Sequence, residues 1–185
     1  MKPPVIQSPR LTLDAFTPDD APLTYECVDD EELQRFIPVP APYTLAHAEH
    51  YVGAYASAAE SNPAMVLWAV RESGLLVGAL ELRIDSAASG DFGFWVGRQH
   101  RGRGVMTQAV GLMVDHSFSA LGLQRLSWEA IASNRGSARV VQRNGFVFEG
   151  TRRLAIEHRG ERVDSWVASL LRTDPREPVE GWPLS

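Results

Sequence analysis

Trp95-Val96-Gly97-Arg98-Gln99-His100-Arg101-Gly102-Arg103-Gly104-Val105-Met106 joins an aromatic-rich stretch to a long apolar-periodic one. Asp91 to Val96 reads as a strand. From Gly102 to Leu121 the apolar residues Val105, Met106, Ala109, Val110, Leu112, Met113 and Val114 recur on one wide face, which predicts a helix. A strand that turns straight into a helix presents the helix N-terminus, with its unpaired N–H groups and partial positive charge, to anions. Gly102 and Gly104 carry no side chain to keep a phosphate off those N–H groups, and Arg101 and Arg103 add charge and bidentate donors. The stretch is not a Walker A loop. Gly97 and Gly102 have the spacing, but Arg103 and Gly104 stand where Lys and a magnesium-binding hydroxyl belong. Nor is it a dinucleotide fingerprint, because Thr107 replaces the third glycine. The alternative reading is a plain strand–helix turn, with glycines for geometry and arginines for solubility.

Toward the N-terminus, Arg10 to Phe16 alternates as a strand. Thr17-Pro18-Asp19-Asp20 starts a helix reaching about Leu33, with Thr17 as N-cap. Ile37 to Tyr43 contains Pro38, Pro40 and Pro42 and predicts an extended loop. Thr44 caps a second helix to about Ser61. Met65 to Arg71 and Leu75 to Asp85 form a hairpin through Glu72-Ser73-Gly74. Beyond the long helix, Gln124 to Ala132 is a strand and Asn134 to Arg143 a short helix stopped by Asn144-Gly145. Phe146 to His158 and Glu161 to Leu171 are the last strands. This order predicts an α+β fold, a mixed, mostly antiparallel central sheet flanked by helices, over residues 8–171, with a C-terminal surface tail at 172–185.

The 185 residues suffice for one domain with a real core, and 44% apolar with 22% charged residues is ordinary globular composition. The net charge of −5 argues against a nucleic-acid partner. Cys27 is the one cysteine, so no internal disulfide forms and a cytoplasmic setting is the default; it reads as a helix filler. Met1 to Arg10 lacks the apolar segment of a signal peptide, and no apolar run has the length of a membrane span. His47, His50, His100, His116 and His158 show no metal spacing, so no metal is expected.

What the turn does retain is Gln99-x-x-Gly102-x-Gly104. This resembles the signature of the GCN5-related N-acetyltransferases (GNAT), in which it holds the coenzyme A pyrophosphate. The later half continues the likeness, with Glu129, Asn134-x-x-Ser137, Gly145-Phe146 and Glu149-Gly150. Together with the opening Ser8-Pro9-Arg10-Leu11-Thr12-Leu13, these are similar to the branch containing the ribosomal-protein alanine and serine N-acetyltransferases. The resemblance spans about Ser8 to Leu171. It implies acetyl-CoA as co-substrate and an amine acceptor, and the branch implies a protein or peptide N-terminal α-amine. It places the pyrophosphate on Arg101, Gly102, Arg103, Gly104, Val105 and Met106, and the pantetheine beside Phe94, Trp95, Val96, Asn134 and Ser137. Asn134 also reads as a helix N-cap.

Acetyl transfer needs an acceptor for the amine's proton and a donor to the leaving thiolate. Glu129, in the central strand, is the first choice of base; an arginine salt bridge is the competing reading, and Glu81 and Asp91 are alternatives. Many relatives place a tyrosine donor where Val141 stands here, which leaves Ser137. A base on the strand after Glu149-Gly150, used in some relatives, would fall on Ile156, with Glu157 adjacent. Asp29, Asp30, Glu31 and Glu32 could draw in a cationic acceptor or form a solvated face. Trp68, Trp128 and Tyr43 could line the pocket or be core. Competing functions are a small-amine or antibiotic acetyltransferase and a non-catalytic acyl-CoA sensor module. A homodimer is an expectation that no residue carries.

Overall fold

The structure, a computed structural model, describes residues Lys2 to Leu184; Met1, the first residue of the stretch read as lacking a leader, lies outside them. The described residues form two compact units, one of the residues up to Arg83 together with Gly93–Leu112, the other of Ile84–Phe92 together with the residues from Met113 on; Ser185, the last residue of the expected tail, also lies outside the described residues.

In the first unit the strands β1 (Ile6–Gln7), β2 (Leu11–Asp14), β3 (Met65–Glu72), β4 (Leu75–Ile84) and β5 (Ser89–Val96) neighbour one another in that order. The β1–β2, β2–β3 and β3–β4 pairs are antiparallel, the last turning through Ser73-Gly74, both with positive φ. Alternation works as expected in β2: Leu11 and Leu13 are fully buried, and Thr12 and Asp14 are not. The first helix is shorter than its periodicity predicts. A 3₁₀ turn Pro18–Asp20 leads into α1 (Ala21–Val28), Asp29 breaks the ladder, and Asp30 caps a one-turn α2 (Glu31–Gln34) by accepting from the Leu33 N–H. The break arises because Asp30 adopts extended backbone (φ −138°) and its side chain competes for the helix N–H groups. The second helix is also composite: α3 (Leu45–His50), a π-helical turn Tyr51–Tyr55, and α4 (Ala56–Ser61). Thr44 caps it as expected, in a reciprocal capping box with His47. One face of β3 and β4 (Leu67, Ala69, Ala79) packs with these helices through Val28, Ala48, Val52, Ala56 and Ala59.

In the second unit the order is β5, β6 (Arg125–Ile131), β8 (Glu161–Leu171), β7 (Val147–His158). β6 and β8 are antiparallel, as are β7 and β8; β5 pairs with β6 in parallel over Ser89–Asp91, after which both strands run on. The sheet is thus mixed and mostly antiparallel, as predicted. The tail, expected on the surface, instead inserts Trp182, which is 9% exposed, donates to the Phe146 carbonyl and packs on Trp128 and Phe148. An indole brings enough apolar area to anchor a segment that has no periodicity of its own.

The long helix α5 (Val105–Ser119) contributes to both units. Its apolar face is the predicted one, with Val105, Met106, Ala109, Val110, Met113 and Val114 all buried. It begins three residues later than expected, because Gly102 (φ +72°) and Gly104 (φ +75°) take left-handed backbone that cannot belong to a right-handed helix. No helix among the described residues is long and apolar enough to cross a membrane.

Candidate active site

β5 ends at Val96. The Gly97 N–H bonds the Val77 carbonyl at 3.0 Å, a 3₁₀ turn Arg98–His100 follows, and Arg101 to Gly104 turn into α5. The first bond of the α5 ladder runs from the Gln108 N–H to the Gly104 carbonyl at 3.0 Å, so the amides of Val105, Met106 and Thr107 precede it. A Cβ at Gly102 or Gly104 would meet nothing within 4 Å, so these glycines are required by backbone conformation and leave open space above the amides. Gly102, Arg103, Gly104, Val105 and Met106 thus lie together at one strand–turn–helix junction, called the cradle below. The Arg101 N–H, expected to join them, donates to the Arg98 carbonyl within the turn.

The cradle's arginines are engaged by carboxylates. Arg101 pairs with Asp30 and, at 2.9 Å, with Glu32. Of the four acids read as an attraction for a cationic acceptor or as a solvated face, Asp30 and Glu32 are engaged with Arg101. Burial disfavours ionisation of Asp30, but the Arg101 guanidinium and the Leu33 and Glu32 N–H groups outweigh it and hold its carboxyl below the ordinary range. Arg103 pairs with Glu72 at 3.1 Å, and Glu72 also takes Arg10 Nε at 2.7 Å. Arg10 Nη1 donates to the Arg103 carbonyl at 2.9 Å, and Gln108 donates to Ser8 Oγ at 3.2 Å. The opening Ser8-Pro9-Arg10 thus braces the cradle, a role its sequence position did not announce. Cys27 lies against Gly97, and burial, reinforced by Glu26, pushes its thiol up to about 11, which suits a filler and not a nucleophile.

In the second unit, Asn134 caps α6 (Arg135–Gln142): its Oδ1 accepts from the Ser137 N–H at 3.1 Å, leaving its amide NH₂ to donate. Trp128 Nε1 donates to Ser137 Oγ at 3.1 Å. Because an indole N–H only donates, Ser137 must accept there, which leaves its hydroxyl hydrogen for another acceptor. Val141, the position that the resemblance matches to a tyrosine of many relatives, is fully buried core.

Glu129 points away from Trp128, as alternation along β6 requires. Arg152 Nη1 lies 2.9 Å from Glu129 Oε2, and the Ser165 hydroxyl donates to Oε1. The arginine pairing weighed as its alternative role is present, made by an arginine that is 60% exposed. Glu129 and Ser137 therefore stand on opposite faces of β6. Trp68 is core, with its indole N–H on the Pro4 carbonyl. Of the alternative bases, Glu81 accepts from Tyr55 and Arg83, and Asp91 lies in the paired part of β5, opposite Ser127. Among the described residues no group of three or more His, Cys, Asp or Glu is placed to hold a metal.

The site thus combines a glycine-rich strand–turn–helix with a mixed, mostly antiparallel sheet flanked by helices. The family model "Acetyltransferase (GNAT) domain" matches residues 10–147. The probable N-acetyltransferase YjcK of Bacillus subtilis is 35% identical over 85 residues, a match covering 46% of this chain and 47% of that protein. The uncharacterized N-acetyltransferase YoaA of the same organism is 24% identical over 178 residues, 94% of this chain and 99% of that protein. Among solved structures, a RimL ribosomal α-N-protein acetyltransferase in complex with coenzyme A superposes with a TM-score of 0.81 at 18% identity, covering 91% of this chain and 98% of that one. The chain belongs to the GNAT acetyltransferase family. As a member it is an acetyl-CoA-dependent N-acetyltransferase, with acetyl-CoA as co-substrate.

Proposed function

We propose that the acceptor is a protein or peptide N-terminal α-amine, acetylated by direct transfer from acetyl-CoA. The observation that carries the transfer is the Gly102–Met106 cradle. The acceptor class is supported by the branch motifs, Asn134-x-x-Ser137 above all, and by the fold shared with a ribosomal α-N-protein acetyltransferase. The pyrophosphate sits on the amides of Gly102 to Met106, with Arg101 and Arg103 exchanging carboxylate partners for phosphate oxygens. Backbone groups of Phe94, Trp95 and Val96, past the paired stretch of β5, bond the pantetheine, and the Asn134 amide adds a donor.

In the reaction the amine loses its proton to Glu129, directly or through water. Its lone pair forms the N–C bond, and the C–S bond breaks with its electron pair on sulfur. The leaving sulfur takes the hydrogen bond that Ser137 has left to give, and then the second proton that the nitrogen sheds as the amide forms, leaving coenzyme A as the free thiol. Before Glu129 can accept a proton, the exposed Arg152 must swing away; pairs this exposed hold only about 0–1 kcal/mol. A cytoplasmic setting fits the acceptor class. The test is an acceptor screen with acetyl-CoA, read by free-thiol release, across alanine- and serine-led peptides, polyamines and aminoglycosides. Release with the peptides above the other two is expected; release with aminoglycosides or polyamines alone would overturn the acceptor class.

A further inference from the structure

On the helix-covered face of the first unit's sheet, one carboxylate stands among aromatic rings. Glu81 lies opposite Leu67 in register and so shares the face of Leu67, Ala69 and Ala79. Its side chain is 14% exposed. Tyr55 donates its hydroxyl to Glu81 Oε2 at 2.6 Å, and Arg83 Nη1 donates to Oε1 at 2.7 Å. Tyr55 stacks on Tyr51, with ring centroids 5.4 Å apart and planes 14° apart, and Trp95 Nε1 donates to the Tyr51 hydroxyl at 3.4 Å. Gly93, two residues before Trp95 on the same strand face, leaves the backbone bare: a Cβ there would meet only the Arg83 guanidinium, at 3.8 Å.

Two features set this cluster apart from ordinary core. The helix carrying the tyrosines widens into a π turn over Tyr51–Tyr55, the segment whose ends supply both rings. Such turns interrupt the α ladder and recur at functional sites. Second, the charge is matched loosely. Arg83 is 47% exposed and sits two residues along the same strand, an arrangement that stabilises little, while Tyr55 is held by burial and by Glu81 as a protonated donor, its phenol raised well above the ordinary range. The carboxylate has one fixed neutral partner and one cationic partner that can be displaced.

We propose that Glu81, Tyr55 and Tyr51 form the subsite that receives the acceptor's primary alkylammonium group before it is deprotonated. The ammonium takes the place of the Arg83 guanidinium on Glu81 Oε1, beside the Tyr55 hydroxyl that holds Oε2. Glu81 thereby selects amines that are cationic in solution over neutral acceptors such as anilines or alcohols. The proposal rests on the acetyl-transfer reading above.

The test is steady-state kinetics with acetyl-CoA and n-butylamine, spermidine and an alanine-led hexapeptide, with calorimetric binding of acetyl-CoA alongside. Glu81→Gln keeps the size and an acceptor for Tyr55; it should raise KM for every amine that the enzyme accepts by about tenfold or more, with acetyl-CoA affinity unchanged within about twofold. Tyr55→Phe should shift KM in the same sense by less. Arg83→Ala removes the competing cation and should lower KM, which loss of a merely structural ion pair would not do. Unchanged KM in Glu81→Gln, or a raised KM in Arg83→Ala, would overturn the subsite and leave acetyl transfer standing. A folded wild type that neither binds acetyl-CoA nor acetylates any of the three would overturn both. Should Glu81→Gln fail to fold, the Arg83→Ala result decides alone.

Discussion

Single residues in the cradle act through backbone. Gly104 holds φ +75°, so any side chain is strained there, and with the pyrophosphate on this turn as proposed an acidic one would also face a phosphate. Gly104→Asp should remove most acetyl-CoA affinity, while Arg103→Ala should weaken it by about 1–3 kcal/mol, the size of one charge-assisted bond. Unchanged calorimetric affinity in a folded Gly104→Asp protein would displace the pyrophosphate from this turn. Glu129 and Ser137, on opposite faces of β6, call for separate tests. If Glu129 takes the amine proton, Glu129→Gln should slow the chemical step by about 10²–10⁴-fold, flatten the acidic limb of the pH–rate profile, and be partly rescued by an amine of low pKa. If it only anchors Arg152 and Ser165, the defect will be equal for all acceptors and accompanied by a lower Tm. Ser137→Ala should lower turnover more modestly and by the same factor for every acceptor.

At the scale of elements, the junction of β2, β3 and the turn into α1 is held by one side chain. Arg71 donates to Asp14 and Asp20 at 2.7 Å and to the Ala15 carbonyl at 3.3 Å. Asp20 in turn accepts from the Thr17 N–H at 2.7 Å, so the capping acid and the strand are one network. Arg71→Leu leaves two carboxylates without their cation and should cost about 3–5 kcal/mol in denaturant titration, more than any exposed pair in the chain. Burial alone would raise the Asp20 pKa, but Arg71 and Thr17 overcome it and bring it below its ordinary 3.8. Its stabilising contribution is therefore complete above about pH 3.8 and is lost as pH falls through the lower folded value. Wild-type Tm should fall in that acidic window, and Asp20→Asn should start less stable at neutral pH and lose less on acidification. An identical acid slope in the two proteins would assign the loss to other carboxylates.

Across the whole molecule, what could be read from the sequence is what short-range physics encodes. The β5–turn–α5 order, the apolar face of α5, the alternation of β2 and the Thr44 cap each depend on residues within a few positions of one another, as does the Gln99-x-x-Gly102-x-Gly104 signature that marks the family. Helix limits were less legible. The late start of α5 turns on the left-handed backbone at Gly102 and Gly104, and the break between α1 and α2 on a side chain of Asp30 that caps instead of continuing. Only the tertiary structure decided partnership: which carboxylates hold Arg101 and Arg103, that Glu129 meets Arg152, that Tyr55 reaches Glu81 across 26 positions, and that Trp182 enters the core near the end of the tail. A charged or aromatic side chain carries no local mark of its partner. The partner is set by strand register and helix packing between segments far apart in the chain, and those depend on burial of the whole core at once.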